Sequence, residues 1–174
     1  TARQSARTTA TTPHRTAAPI RSGSLARVGA LDAIVKAYDV RGTVPDQLRP
    51  DVAHAFGVAF ARFTDAPRLI VGRDMRPSGV ALVQAFAEGV REQGADVVDI
   101  GLASTDMLYF AVIDTEADGG IVVTASHNPG QYNGFKFTRA KAITMGLDSG
   151  LSDIEDLIRE GKIGEKAAKP GAIE

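Results

Sequence analysis

The chain has 174 residues, 44% of them hydrophobic and 24% charged, a composition in the range of one soluble globular domain. It has no cysteine, which excludes a disulfide scaffold, a thiolate metal site and a cysteine nucleophile. The net charge of −1 argues against a nucleic-acid partner, and no apolar run approaches the roughly 20 residues that a membrane span needs.

The charge is unevenly spread. Five arginines (Arg3, Arg7, Arg15, Arg21 and Arg27) and no acid occur before Asp32, so the remainder carries about −6. Residues 1–30 are rich in Thr, Ala and Ser and lack apolar periodicity, so they read as a disordered basic tail. An acid-free, Arg- and Ser/Thr-rich start also resembles a transit peptide, with a plain flexible extension as the simpler reading. Residues 31–174 read as the folded domain.

Within that domain, Ala33–Tyr38 reads as a strand. Val52, Ala55, Phe56, Ala59, Phe60 and Phe63 recur at helical spacing. After Pro67, Leu69–Gly72 is a buried-strand run. Leu82, Val83, Phe86, Ala87 and Val90 mark a second helix, stopped near Gly94. Asp96–Gly101 is the next strand, and Ser104–Ile113 a helix capped by Ser104 or Thr105. Gly120–Thr124 is an uninterrupted β-branched strand. Asn133–Thr138 alternates Phe135 and Phe137 with Lys136 and reads as an antiparallel edge strand. Ser152–Glu155 has capping-box spacing at the start of a last helix whose inner face is Leu151, Ile154, Leu157 and Ile158. This alternation predicts a three-layer α/β/α sandwich with a mixed, largely parallel sheet.

Ligands of open α/β sheets bind beyond the carboxyl ends of the strands. Three strands end in polar turns: Tyr38–Gly42, Gly72–Ser78 and Thr124–Gly130. The last is the richest. Ser126 and Thr124 offer hydroxyls, His127 an acid/base or cation, and Asn128 an amide, with Pro129-Gly130 reversing the chain. A serine hydroxyl is a poor nucleophile without a base or an electropositive site. His127, Arg41 and Lys136 are candidates to supply one, and the two cations would also stabilise a phosphate.

Plainer readings stand beside these. Ser126 and Asn128 could simply bond the backbone of a turn. His127 could be structural and Arg73-Asp74 a local ion pair. Arg41 could be a structural partner of Asp39, and Lys136 merely solvated. Other motif classes are absent: no dinucleotide fingerprint, P-loop or nucleophile elbow occurs. Three histidines (His14, His54 and His127) without cysteine suggest no protein-only zinc site.

Lys36-Ala37-Tyr38-Asp39-Val40-Arg41-Gly42, Val71-Gly72-Arg73-Asp74, Thr124-Ala125-Ser126-His127-Asn128-Pro129 and Tyr132-Asn133-Gly134-Phe135-Lys136 occur in this order. Together they resemble the α-D-phosphohexomutase superfamily, phosphomannomutase/phosphoglucomutase group, over its N-terminal domain from about Val35 to Ile158. The resemblance implies that Ser126 is a phosphorylated serine, flanked in the active site by His127 and Asn128. It implies that Arg41 and Lys136 stabilise charge and assist proton transfer, and that Tyr38 and Asn128 contact substrate. The implied reaction interconverts hexose 1-phosphate and hexose 6-phosphate through a hexose 1,6-bisphosphate. One Mg²⁺ would bind through the Ser126 phosphate. The implied setting is cytoplasmic, with a phosphohexose substrate and the remaining mutase domains as partners.

The family's Asp-Gly-Asp-Gly-Asp-Arg metal loop, its sugar-recognition loop and its C-terminal phosphate-binding domain do not occur in this sequence. The expectation is therefore that these 174 residues alone do not turn over. A truncated, non-catalytic α/β domain and the corresponding domain of a phosphoglucosamine mutase are the alternatives.

Overall fold

The structure, a computed structural model, describes residues 31–161 and 165–174. The basic segment 1–30, expected to be a disordered tail, lies outside the described residues.

Ten elements follow in order: β1 (Val40–Thr43), α1 (Pro50–Thr64), β2 (Arg68–Arg73), α2 (Gly79–Arg91), β3 (Asp96–Leu102), α3 (Thr105–Asp114), β4 (Gly119–Val123), β5 (Tyr132–Arg139), β6 (Ile143–Thr144) and α4 (Leu151–Arg159). They build one mixed sheet of order β1-β5-β4-β2-β3, with β6 on β5. The strands β3, β2 and β4 run parallel. β5 is antiparallel to both β4 and β1. The last residues extend the sheet beyond β3, where Val97 pairs with Ile173 in parallel.

Layering follows from where the apolar side chains go. Phe56 and Phe60 of α1, Phe86 of α2, Leu151 and Ile154 of α4, and Phe135 and Phe137 of β5 share one core. Its five phenylalanine rings pack with centroids 5.1 to 6.3 Å apart, a spacing that favours tilted and edge contacts. On the opposite face, Leu108 and Val112 of α3 pack on Ile70 and Val122. Helices on both faces give the expected α/β/α sandwich. No helix among the described residues is long and apolar enough to cross a membrane.

Three local readings are corrected. Residues 33–38 are not a strand: Leu31–Ala33 form a 3₁₀ turn, and Val35 makes only an isolated bridge to Val40. The Lys36 N–H donates to the Asp39 carbonyl, closing a tight turn. Leu31, Ile34 and Val35 are apolar because this turn is packed into the core, not because it is extended.

β5 is antiparallel as expected but is an internal strand, because β1 pairs along its other side. Ser152 does not cap α4 either. The N-cap is Gly150, and the Ser152 hydroxyl, already inside the helix, donates to the Leu147 carbonyl. The cap expected for α3 is present, with Ser104 Oγ accepting from the Met107 N–H.

The topology also sets the site. From β2 the chain passes through α2 to β3. It then returns through α3, on the other face, to β4, on the far side of β2. The connections after β2 and β4 therefore diverge from adjacent parallel strands, the crevice in which such sheets bind ligands.

Candidate functional site

Two loops meet at that crevice: residues 74–78 after β2 and residues 124–131 after β4. The Asp74 N–H donates to the Val123 carbonyl, and the Thr124 hydroxyl donates to Asp74 Oδ2 at 2.7 Å. The same hydroxyl accepts the Ser126 N–H at 2.9 Å, using both capacities of the group. One turn further, the Asn128 N–H donates to the Ala125 carbonyl. Ser126 sits at φ 54°, a left-handed conformation that costs a non-glycine residue about 1–3 kcal/mol and persists only where surroundings hold it. Its side chain is exposed, with Oγ 3.3 Å from His127 Nδ1, a long contact for a hydroxyl.

The loop is gripped from behind by Arg76. Its Nε donates to Asp74 Oδ2, its Nη1 to the carbonyls of Pro129 and Tyr132, and its Nη2 to those of Ser126 and Asn128. Asp74 therefore pairs with Arg76 at 3.1 Å and not with Arg73, whose guanidinium reaches only the Asp74 backbone carbonyl. The local Arg73-Asp74 ion pair expected from the sequence is thus replaced by one two residues on.

The predicted cations come together on a carboxylate. Asp39 Oδ2 lies 2.6 Å from Arg41 Nη2 and 3.3 Å from Lys136 Nζ, with its side chain only 11% exposed. Lys136 reaches it because alternation along β5 turns Phe135 and Phe137 into the core and Lys136 to the other face. Arg41, Gly134 and Thr124 form one row across β1, β5 and the end of β4. At Gly134 a Cβ would stand 2.2 Å from the Val40 carbonyl oxygen, so glycine is required for that row to close. Arg41 Nε is buried without an acceptor among the described residues, a donor that an anionic oxygen would satisfy.

Four of the candidate residues divide between two grooves. Arg41 and Asn128 line one of about 540 Å³ together with Lys36, Gln47, Pro129 and Tyr132. Tyr38 and Lys136 line another of about 440 Å³ with Tyr109 and Asp148. Burial, with the charge of Asp106, raises the pKa of the Tyr109 hydroxyl and keeps it protonated. Among the described residues no hydrogen bond joins Ser126 to Arg41 or Lys136. Ser126 stands open to solvent.

No group of three or more His, Asp or Glu among the described residues converges as a metal cage. These residues alone do not fit a Mg²⁺ ion. The most they offer is a phosphate oxygen, if Ser126 carries one.

Asp39, Arg76 and Tyr109 were not singled out as site residues from the sequence. Asp39 was visible as a neighbour of Arg41, but its second cation is 97 positions away. Arg76 grips mainly backbone carbonyls, which leave no trace in side-chain patterning. Only the Asp74-x-Arg76 spacing, in which Asp74 Oδ1 accepts the Arg76 N–H, hinted at a built turn.

The family model described as phosphoglucomutase/phosphomannomutase, alpha/beta/alpha domain I, matches residues 32–164. A phosphomannomutase of Escherichia coli is 43% identical over 127 residues, covering 73% of this chain and 28% of that protein. One from Klebsiella pneumoniae is also 43% identical, over 73% of this chain and 81% of its own length. The solved structure of a phosphoglucomutase/phosphomannomutase family protein from Burkholderia thailandensis superimposes with a TM-score of 0.72 at 37% identity. That match covers 82% of this chain and 32% of that one. The chain thus spans under a third of the longer relatives it matches.

Proposed function

Because the chain belongs to the phosphoglucomutase/phosphomannomutase family, as its domain I, we propose that it is the phosphoryl-carrying domain of a phosphohexomutase, with Ser126 as carrier. The observation that carries this reading is the Ser126 loop itself. It is strained, side-chain exposed and held from several directions at the head of a parallel strand, beside a row that bears Arg41. A turn of purely local purpose would not need that support.

In this reading Ser126 Oγ attacks a phosphorus of a hexose 1,6-bisphosphate. The Oγ–P bond forms as the sugar O–P bond breaks, and the Ser126 proton goes to the departing sugar oxygen. In the reverse step the phosphoserine phosphorylates the free hydroxyl of a bound hexose 1-phosphate and regenerates the bisphosphate; loss of the 1-phosphate to Ser126 then leaves hexose 6-phosphate. His127 Nδ1 is the ring nitrogen nearest Oγ and is the group to hold that proton in passage. Arg41, with its unsatisfied Nε, and Lys136 supply positive charge for the equatorial oxygens. Asp39 holds the two cations 2.6 and 3.3 Å from one oxygen, limiting their wandering. Tyr38 and Asn128, each on a groove, are the substrate contacts.

Mg²⁺ belongs to the proposal only through a phosphate oxygen on Ser126, because the described residues build no cage of their own. Its remaining ligands, and the walls that recognise the sugar, would come from segments represented in the longer relatives. Charged hexose phosphates do not cross membranes unaided, so the enzyme shares a compartment with its substrate, and the compartment in this reading is the cytoplasm.

The test is a coupled assay of hexose 1-phosphate to 6-phosphate conversion, on the chain alone and on a hybrid. In the hybrid, residues 32–164 replace the matching segment of the E. coli phosphomannomutase. The expected result is no turnover by the chain, turnover by the hybrid, and its loss on Ser126→Ala. A Ser126→Ala hybrid as active as its parent would overturn the reading.

A further inference from the structure

The geometry points to Arg76 as the positioning residue that sets the rate of phosphoryl transfer at Ser126, acting through the loop and not on the reacting atoms. The inference rests on the reading of Ser126 as carrier.

A guanidinium has five N–H donors in a fixed planar fork. Arg76 meets five acceptors: one carboxylate oxygen of Asp74 and the carbonyls of Ser126, Asn128, Pro129 and Tyr132. The four carbonyl distances lie between 2.7 and 3.0 Å. Four carbonyls from a seven-residue stretch thus converge on one side chain, which is only 10% exposed. The loop is wrapped round the guanidinium as a backbone wraps a bound cation.

Two consequences separate this role from that of Arg41 and Lys136. First, with its five donors matched to five acceptors, Arg76 has none left for a phosphate, so it does not act as a phosphate ligand. Second, one of its bonds is to the carbonyl of Ser126 itself, the residue held at φ 54°. Turning that carbonyl inward fixes the peptide plane after Ser126 and so directs its side chain outward. Thr124 fixes the preceding side of the same residue through the Ser126 N–H. Asp74 joins the two devices, since its Oδ2 accepts from both Arg76 Nε and Thr124 Oγ1. A lysine at 76 would keep the charge but offer only three donors from a single point, and could not span carbonyls from Ser126 to Tyr132.

The experiment uses the hybrid, in which residues 32–164 stand in the E. coli phosphomannomutase, and compares it with its Arg76→Lys variant, with glucose 1,6-bisphosphate and Mg²⁺ as phosphoryl donor and phosphate quantified on the Ser126 peptide. Misplacing a reacting group by about 1 Å costs about 10²-fold in rate. The expected result is therefore a fall of about that size at saturating donor, with the half-saturating concentration changed less than about threefold. Amide hydrogen exchange is read in parallel. It should quicken at Ser126, Asn128 and Tyr132 and stay unchanged at the core amides of Val71 and Ile121. If Arg76→Lys does not fold, Asp74→Asn keeps the arginine, removes the shared carboxylate and should show a smaller loss of the same kind.

A variant that takes up phosphate at the parent rate, or that loses only donor affinity, overturns the proposal. If the parent hybrid itself puts no phosphate on Ser126, the carrier reading has failed. The exchange arm then still judges Arg76: unchanged protection at residues 126, 128 and 132 in Arg76→Lys overturns its role in holding the loop.

Discussion

Asp39→Asn removes one charge from a site where two cations share it. In the parent, Asp39 Oδ2 is 2.6 Å from Arg41 Nη2 and 3.3 Å from Lys136 Nζ. At the effective dielectric of a partly buried pair, each attraction is roughly 5 kcal/mol before desolvation is subtracted. Removing one partner of a fully buried pair costs about 3–5 kcal/mol, and an exposed pair contributes about 0–1 kcal/mol. Here the carboxylate is 11% exposed and the cations 21% and 29%, so the expected loss falls between, at about 2 kcal/mol. Urea unfolding should report it as a midpoint lower by about 1 M. Much of the loss is the repulsion of two cations left side by side. Adding Lys136→Met should therefore restore about 1 kcal/mol, and raised salt should shrink the difference. A single variant within about 0.5 kcal/mol of the parent, or a loss that Lys136→Met leaves untouched, would refute this account of the cluster.

Other outcomes follow from the same structure. Gly57→Ala places a Cβ 2.1 Å from the Phe86 carbonyl oxygen where α1 crosses α2, so urea unfolding should show a loss of at least about 2 kcal/mol. Stability unchanged by that methyl would mean that the helices do not cross there. Glu92 is partly buried, which alone would raise its pKa. The hydrogen bond from Lys166 and the charges of His54 and Lys166 outweigh burial and lower it. A carboxyl with a lowered folded pKa adds stability that is present above its unfolded value, about 4.3, and lost as pH falls through the folded value. Melting curves from pH 6 to pH 3 should therefore show the parent losing its advantage over Glu92→Gln below about pH 4.3. An advantage that grows on acidification would contradict the assignment.

Much of the fold is legible in the sequence because periodicity and burial agree. Phe56, Phe60 and Phe86 recur on the faces of α1 and α2 that meet β5, and Ile121–Val123 is apolar throughout because β4 is covered on both faces. Where one apolar run serves either of two geometries, the sequence misleads. Ile34 and Val35 are buried in a turn and not in a strand. Ser152 has the spacing of a cap, yet Gly150 begins α4 and places Ser152 inside it. Phe135-Lys136-Phe137 alternates like an exposed edge, but Lys136 pairs with Asp39 and looks onto a groove lined by Tyr38 and Tyr109. The residues facing that groove are polar for reasons of the site.

The candidate site was half legible for a related physical reason. Ser126, His127 and Asn128 are adjacent in the chain, so a reader of the sequence meets them together. Arg76 acts on them from 50 residues away through backbone carbonyls, which every residue has. Asp39 was legible only as a local partner of Arg41. Its role as the joint between β1 and β5 needed the register that sets Arg41 opposite Gly134, two residues from Lys136.

The most direct test of the central claim is the position of the phosphate. The hybrid carrying residues 32–164 in the E. coli phosphomannomutase is incubated with glucose 1,6-bisphosphate and Mg²⁺, digested, and its phosphopeptides mapped by fragmentation. The account predicts a single phosphate on Ser126, absent in Ser126→Ala. Phosphate on another residue, or equal labelling of the Ser126→Ala hybrid, would contradict it.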